Sequence, residues 1–259
     1  VFSTTVETAL ARIRCRRGPG GTRGIVPGLI VADPHPGWIP ASALLSGERV
    51  DELLDAAKQR WGASPPAAAA LAWRSYTYWL TLPSVLSWAT TRRVPLVDPD
   101  DLLVRLSVSH DQPLLMFGVR RGGLAALPDD PVAVESGVMI ITSQEELLRQ
   151  LRVTLREVHL DPLLERIQDR VRLGTRTLLG SLASAVGHAV VRGLEGTADE
   201  LRLTADTLLS TLGVAGLLEL APGRDGTELV VRRRTCCLAF TLPEPKLCSG
   251  CCIPAGWSG

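Results

Sequence analysis

Leu102-Leu-Val-Arg-Leu-Ser-Val108 and Leu114-Leu-Met-Phe-Gly-Val119, separated by His110-Asp-Gln-Pro113, decide what kind of fold this chain has. Both runs are short and dominated by Leu, Val and Phe, and the polar, proline-ended segment between them suits a turn. They predict paired strands. Pro128 to Pro131 marks a further turn, and Val138-Met-Ile-Ile141 predicts another short strand, so the middle of the chain reads as a small antiparallel sheet.

Helical periodicity lies on both sides of this sheet. After Ser46, Val50, Leu53, Leu54, Ala57 and Trp61 recur at helical spacing, with Asp51, Glu52, Lys58 and Arg60 opposite them. Ser64-Pro-Pro66 closes that helix and Ala67 opens another, which runs to Ala89 and carries Trp73, Tyr76, Tyr78, Trp79 and Trp88. Trp73, Tyr76 and Leu80 share one face, either a core stripe or a wall that receives part of a bulky ligand. Pro83 is expected to kink or split this helix. Further upstream, Val6, Leu10 and Ile13 form a short amphipathic pattern. Arg16-Arg-Gly-Pro-Gly-Gly-Thr-Arg23 predicts a mobile loop, and residues 24 to 46 read as extended or looped, with His35 exposed between two prolines.

Downstream of the sheet, Ser143-Gln-Glu-Glu146 has the form of a capping box, followed by Leu147, Leu148, Leu151, Leu155 and Val158 as a buried face. His159-Leu-Asp-Pro162 is expected to stop that helix and start the next, with Asp161 as N-cap and Pro162 at the first helical position. Leu163, Leu164, Ile167 and Val171 form its apolar side. Thr175 to Gly193 predicts a helix rich in small residues, which lets another backbone or a ligand approach closely. Thr197-Ala-Asp-Glu200 is a second capping box. His159 and His188 read as capped or packed histidines. The pattern as a whole is α+β and mostly helical.

At 46% hydrophobic residues, the 259-residue chain has ample material for a core of one large domain or two small ones. Its 28 basic and 27 acidic residues nearly balance, which excludes a global field for nucleic acid or an anionic membrane. The most apolar stretch, Leu71 to Ala89, carries Arg74 and Pro83 and is too polar to span a bilayer, so no transmembrane segment is expected. The first residues do not read as a signal peptide, and the start at Val1 rather than Met leaves room for an upstream segment. A cytoplasmic protein is expected, where clustered thiols serve as metal ligands rather than disulfides.

Five of the six cysteines lie in Arg234-Thr-Cys-Cys-Leu-Ala-Phe-Thr-Leu-Pro-Glu-Pro-Lys-Leu-Cys-Ser-Gly-Cys-Cys-Ile253. Thiolates this dense are either cross-linked or bound to a soft metal. Cys248 and Cys251 have the C-x2-C spacing of tetrahedral metal sites, helped by Gly250 in the turn. Cys236 and Cys237 are adjacent, and neighbouring side chains on an extended strand converge on one ion only with difficulty. A two-iron cluster is a larger object and suits them better. Zinc and disulfides remain the alternatives. Cys15 reads as a lone reduced thiol.

The C-C-x10-C-x2-C pattern resembles that of the FhuF-type ferric-siderophore reductases, whose C-terminal motif holds a [2Fe-2S] cluster. The resemblance implies that Cys236, Cys237, Cys248 and Cys251 are the ligands, with Cys252 as the register alternative to Cys251. Val230-Val-Arg-Arg-Arg-Thr235 is similar to that family's basic lead-in strand, and His159-Leu-Asp-Pro-Leu-Leu164 and Arg176 to Ala185 to two of its helical segments. Leu179-Gly180-Ser181 stands where a Trp-Gly-Asn-like triplet is expected. The domains implied are residues 1–66, an N-terminal region with a variable loop and one helix; 67–229, a helical α+β siderophore-handling domain; and 230–259, the cluster-binding hairpin. The activity implied is one-electron reduction of a ferric siderophore, expected to be a hydroxamate, with release of Fe(II). Arg232, Arg233 and Arg234 are candidate contacts to substrate or donor, Arg232 and Arg234 facing one way and Arg233 the other. A solvated basic edge strand is the plainer reading of the same run.

No nucleophile–His–acid set, phosphate loop, H-E-x-x-H or dinucleotide glycine fingerprint is present, so electrons are expected from an external ferredoxin or flavoprotein reductase. Two other readings use the same cysteines: a zinc-stabilised binding domain, and a cluster-bearing electron-transfer or iron-sensing protein with no chelate site.

Overall fold

The computed structural model describes residues 1–32, 36–223, 228–248 and 250–253; His35 lies outside them. The fold is α+β and mostly helical. Its organising pair is α4 (Pro65–Thr91) and α7 (Thr175–Gly193). Trp73 and Tyr76 of α4 are fully buried, so the aromatic stripe is core, and the Trp73 indole N–H donates to the Leu178 carbonyl at 2.7 Å. Around this pair stand α1 (Phe2–Arg17), α3 (Val50–Trp61) and α8 (Ala198–Thr211), and the short α2 (Ala41–Leu45) packs on α3. Helix α4 runs through Pro83 as one element. Leu80, Leu82, Val85 and Leu86 are all buried beside the proline, and that burial outweighs the roughly 3 kcal/mol an interior proline costs. Among the described residues no helix is long and apolar enough to cross a membrane.

The strands form three small sheets rather than one antiparallel sheet. In the first, β1 (Ile25–Ile30), β5 (Leu115–Val119), β4 (Leu102–Leu106) and β2 (Trp38–Pro40) lie in that order, with β1 parallel to β5 and the other pairs antiparallel. The second is β3 (Val94–Leu96), β6 (Gly123–Ala126) and β7 (Val138–Ile140), with β6 and β7 parallel. The expected hairpin over 102–119 is present, and so is the strand expected at 138–141, as β7, whereas β1 was hidden by Pro27 and Gly28 and β6 was not read as a strand. The third sheet pairs β8 (Leu218–Pro222) with β9 (Leu229–Arg233), antiparallel, and leads into the cysteines.

Two helix boundaries differ from the sequence reading. Arg16 and Arg17 still belong to α1, and Pro19–Thr22 forms a 3-10 turn with Thr22 buried, where a mobile loop was expected. His159-Leu-Asp-Pro162 does not break the chain. Helix α5 (Gln144–Arg152) continues as a π-helical stretch, Val153–Leu160, directly into α6 (Asp161–Arg170). Asp161 is helical rather than an N-cap, and its carboxylate accepts from Arg156 at 2.7 Å. Ser143 caps α5 by accepting from the Glu146 N–H, but the Glu146 carboxylate pairs with Arg149 instead of closing the box; the Thr197–Glu200 box is complete.

The small residues of α7 are used for close packing. A Cβ on Gly180 would collide with the Thr235 hydroxyl, one on Gly187 would meet Leu218 at 2.9 Å, and one on Gly193 would collide with Leu86. Gly180→Ala should therefore destabilise the protein by about 1–2 kcal/mol, since overpacking costs about 1–3 kcal/mol and outweighs the helix-propensity gain of just under 1. Urea denaturation checks this; a variant as stable as the parent would show that Thr235 yields freely.

Candidate metal centre and the adjoining cleft

The cysteine segment follows β9, whose alternation points Val231 and Arg233 inward and Arg232 outward. Beyond Arg233 the backbone leaves the strand. The described part of the tail, expected as a cluster-binding hairpin, folds as irregular loops around a 3-10 turn, Ala239–Thr241. Leu238 adopts the left-handed conformation, φ 61°, uncommon for a residue with a branched side chain. This reversal turns two backbone N–H groups back toward the cysteines just before it. Leu238 N–H donates to Cys236 Sγ at 3.3 Å, and Ala239 N–H donates to Cys237 Sγ.

The second half of the tail returns onto the first. Lys246 N–H donates to the Ala239 carbonyl at 3.0 Å, and Arg233 N–H donates to the Gly250 carbonyl at 2.9 Å. Gly250 is required for space: a Cβ there would collide with the Val231 carbonyl oxygen. The C-x2-C turn closes with Cys251 N–H donating to the Cys248 carbonyl at 3.0 Å, and Ile253 N–H donates to Cys251 Sγ at 3.4 Å.

These contacts gather the tail cysteines. Cys237, buried, shares a hydrogen bond with Cys248, and Cys236 lies in the electrostatic field of Cys237, Cys251 and Cys252. The Cys248 hydrogen bond, the Ala239 N–H, Arg74 and Arg233 together push the Cys237 thiol down to about 5 against its burial. Cys248, the donor in that bond, is pushed up, and burial adds to the rise. Cys236 is raised by burial, partly offset by the Leu238 N–H. Arg74 Nη1 reaches Cys237 Sγ at 3.7 Å. Cys252 is exposed, whereas Cys251 is half-buried and accepts a backbone N–H. Cys15 is exposed on α1, and all six cysteines are free thiols. Among the described residues no three His, Cys, Asp or Glu side chains are arranged to hold a single metal ion.

A cleft of about 410 Å³ adjoins the tail. One wall is Arg74, Ser75, Tyr78 and Trp79 of α4; another is Ser181, Ser184, Ala185, His188 and Arg192 of α7. Arg233, Cys248 and Gly250 close it on the tail side, and Gly20, Gly21 and Arg23 on the side of the 3-10 turn. The α7 residues recur at three- and four-residue intervals and so share one helix face. Of the three tail arginines only Arg233 reaches the cleft; its Nη2 donates to Ser181 Oγ at 3.2 Å. Arg232 is exposed, and Arg234 lies 3.6 Å from Glu219 across the third sheet. His159 is fully buried away from the tail, with Nε2 on the Val97 carbonyl at 2.9 Å and Nδ1 facing the Tyr76 hydroxyl at 3.3 Å. A packed histidine was the expectation.

Arg74 and Arg192 were not read as site residues from sequence, and His188 was read only as a capped or packed histidine, whereas it lines the cleft. Signals existed: Arg74 is the one charged residue of α4, and Ser181, Ser184, His188 and Arg192 form a polar strip on the otherwise apolar stretch of α7 from Leu178 to Gly193. A scan against protein-family models finds no match to this chain, and no curated protein matches it.

Burial, then Arg192, Arg233, Arg74 and Arg17, push His188 down to about 3. The folded protein therefore keeps this imidazole neutral where the unfolded chain would protonate it, near pH 6.5. Below that pH the unfolded state binds the extra proton, so this group's contribution to stability is lost as pH falls toward 3, by at most about 1.4 kcal/mol per pH unit. His188→Gln should remove that part of the slope, so that between pH 7 and about 4.5 the variant gains stability relative to the parent in urea denaturation. Parallel slopes would exclude the assignment.

Proposed function

We propose that this chain is a cytoplasmic ferric-siderophore reductase of the FhuF type, with Cys236, Cys237, Cys248 and Cys251 as the residues that would hold a [2Fe-2S] cluster. The donor chemistry fits such a group. Three backbone N–H groups donate to the sulfurs of Cys236, Cys237 and Cys251, and Arg74 and Arg233 bring positive charge to Cys237. Hydrogen bonds to sulfur and nearby charge are the levers that set the potential of such centres, which span roughly −700 to +450 mV. When bound, the cluster supplies single electrons, the unit needed to convert Fe(III) to Fe(II).

The observation that carries the reading is contiguity: Cys248 and Gly250 of the thiol-bearing loop are part of the cleft wall. A chelate in this cleft lies against the cysteine loop, with Tyr78 and Trp79 beside it and His188 as a neutral hydrogen-bonding group. The hard oxygen donors of a siderophore prefer Fe(III). One electron gained by the iron weakens their hold, Fe(II) leaves, and no bond of the chelator breaks. The electron comes from a donor protein, a ferredoxin or flavoprotein reductase, because the chain carries no dinucleotide fingerprint of its own.

Anaerobically purified protein should be red-brown and contain roughly two iron and two acid-labile sulfide per chain. Reduced protein mixed with a ferric siderophore should release Fe(II) to a ferrous-specific dye. Cys237→Ser and Cys248→Ser should each abolish the visible absorption, and Cys15→Ser should leave it unchanged. Cys252→Ser should also retain it, since Cys251 is the sulfur that accepts a backbone N–H. A colourless, sulfide-free protein that is fully folded after anaerobic handling would sink the proposal and favour a zinc-stabilised domain. A red-brown protein inert toward ferric chelates would favour an electron carrier or iron sensor.

A further inference from the structure

The cleft has a charge that the resemblance does not explain. Arg23, Arg74, Arg192 and Arg233 all line it, no Asp or Glu does, and among the described residues none of the four has an ion-pair partner. Two of them, Arg74 and Arg233, also face the Cys237 sulfur, which leaves Arg23 and Arg192 uncompensated. Arg233 is 5% exposed, and its Nε has no hydrogen-bond partner among the described residues. A guanidinium that far from water with a free donor is costly unless an anion approaches it. The floor of the cleft, at Ser181 and Ser184, is buried as well. Its size falls within the range of small-molecule sites, about 300–1,000 Å³, so an acidic protein would touch only the rim.

We infer that the cleft is an anion-selective site, and, resting on the reductase reading for the identity of its ligand, that it takes anionic ferric chelates in preference to uncharged ones. The distinction lies in the donor groups. Three monoanionic hydroxamates neutralise Fe(III), whereas three dianionic catecholates, or hydroxycarboxylates such as citrate, leave the complex negatively charged. Planar guanidinium groups match carboxylate and catecholate oxygens through paired N–H donors. The hydroxamate class expected from the resemblance is thus the poorer electrostatic match.

Gallium(III) complexes test this, because Ga(III) replaces Fe(III) in the same chelates and accepts no electron under these conditions. The cluster-loaded protein is titrated with Ga(III) tris-catecholate, Ga(III) citrate and a neutral Ga(III) trihydroxamate, following the heat of binding. The anionic complexes should bind at least about tenfold tighter than the neutral one. Their affinity should fall several-fold between about 50 and about 300 mM salt, while the neutral complex changes little. Arg192→Gln and Arg23→Gln, away from the cysteines and from the buried Arg233, should each weaken only the anionic complexes. Equal or tighter binding of the neutral trihydroxamate, insensitivity to both substitutions, or no binding of any complex would overturn the inference. Charge-selective binding by a protein without iron or sulfide would instead overturn the reductase reading and leave the anion site standing.

Discussion

Everything at the candidate site depends on how closely the third sheet can approach α7. Gly180 admits the Thr235 side chain and Gly187 admits Leu218 and Val231, so β9 lies against helix backbone rather than on a layer of side chains. Gly250 repeats the device one layer out, where its missing Cβ lets the C-x2-C turn rest on the Val231 carbonyl. These are steric requirements in series. With β9 held this close, Arg233 must enter the space beside Ser181, and the Gly250 carbonyl meets the Arg233 N–H. The Arg233–Gly250 hydrogen bond and the Gly250–Val231 contact thus tether the C-x2-C turn beside the cleft it borders.

Electrostatics follows from that geometry. Cys237 sits between Cys248, a backbone N–H and two guanidinium groups, and each favours its thiolate over its thiol. The same two arginines belong to the cleft wall, so one pair of charges serves both the sulfur side and the ligand side. Coupling between the two is thereby built in: an anion in the cleft draws on charge that also stabilises sulfur. A polar strip on α7 supplies the opposite wall without adding an acid.

Much of this was legible in the sequence wherever one periodicity governed a whole element. The helix over Thr175 to Gly193 and the hairpin around His110-Asp-Gln-Pro113 are such cases, and strand parity also set Arg233 opposite Arg232, although it did not say which of the two faces inward. What escaped was set by packing at a distance. Strand β1 contains Pro27 and Gly28, which read as loop, yet the Gly24 carbonyl just before it accepts from the Phe117 N–H and its register with β5 is parallel. The π-helical stretch carries α5 into α6 where Pro162 had suggested a break, and no local signal announces it. The cleft was illegible for a different reason. Arg74, His188 and Arg233 lie on three elements far apart in sequence, and only their convergence makes them a site.

His188 decides how such a site behaves with pH. A histidine among arginines could have been a fifth positive charge, switching the cleft on as the medium acidified. Burial and the surrounding guanidinium groups instead push it down to about 3, so it contributes an N–H and a lone pair but no charge near neutrality. The charge facing a ligand is then carried by the four arginines of the cleft, Arg23, Arg74, Arg192 and Arg233. Binding of an anion should accordingly follow salt rather than pH, except where the ligand's own acids titrate. The small-residue face of α7 makes this arrangement affordable: by letting Arg233 pack against Ser181, it surrounds the imidazole with charge that denies it a proton.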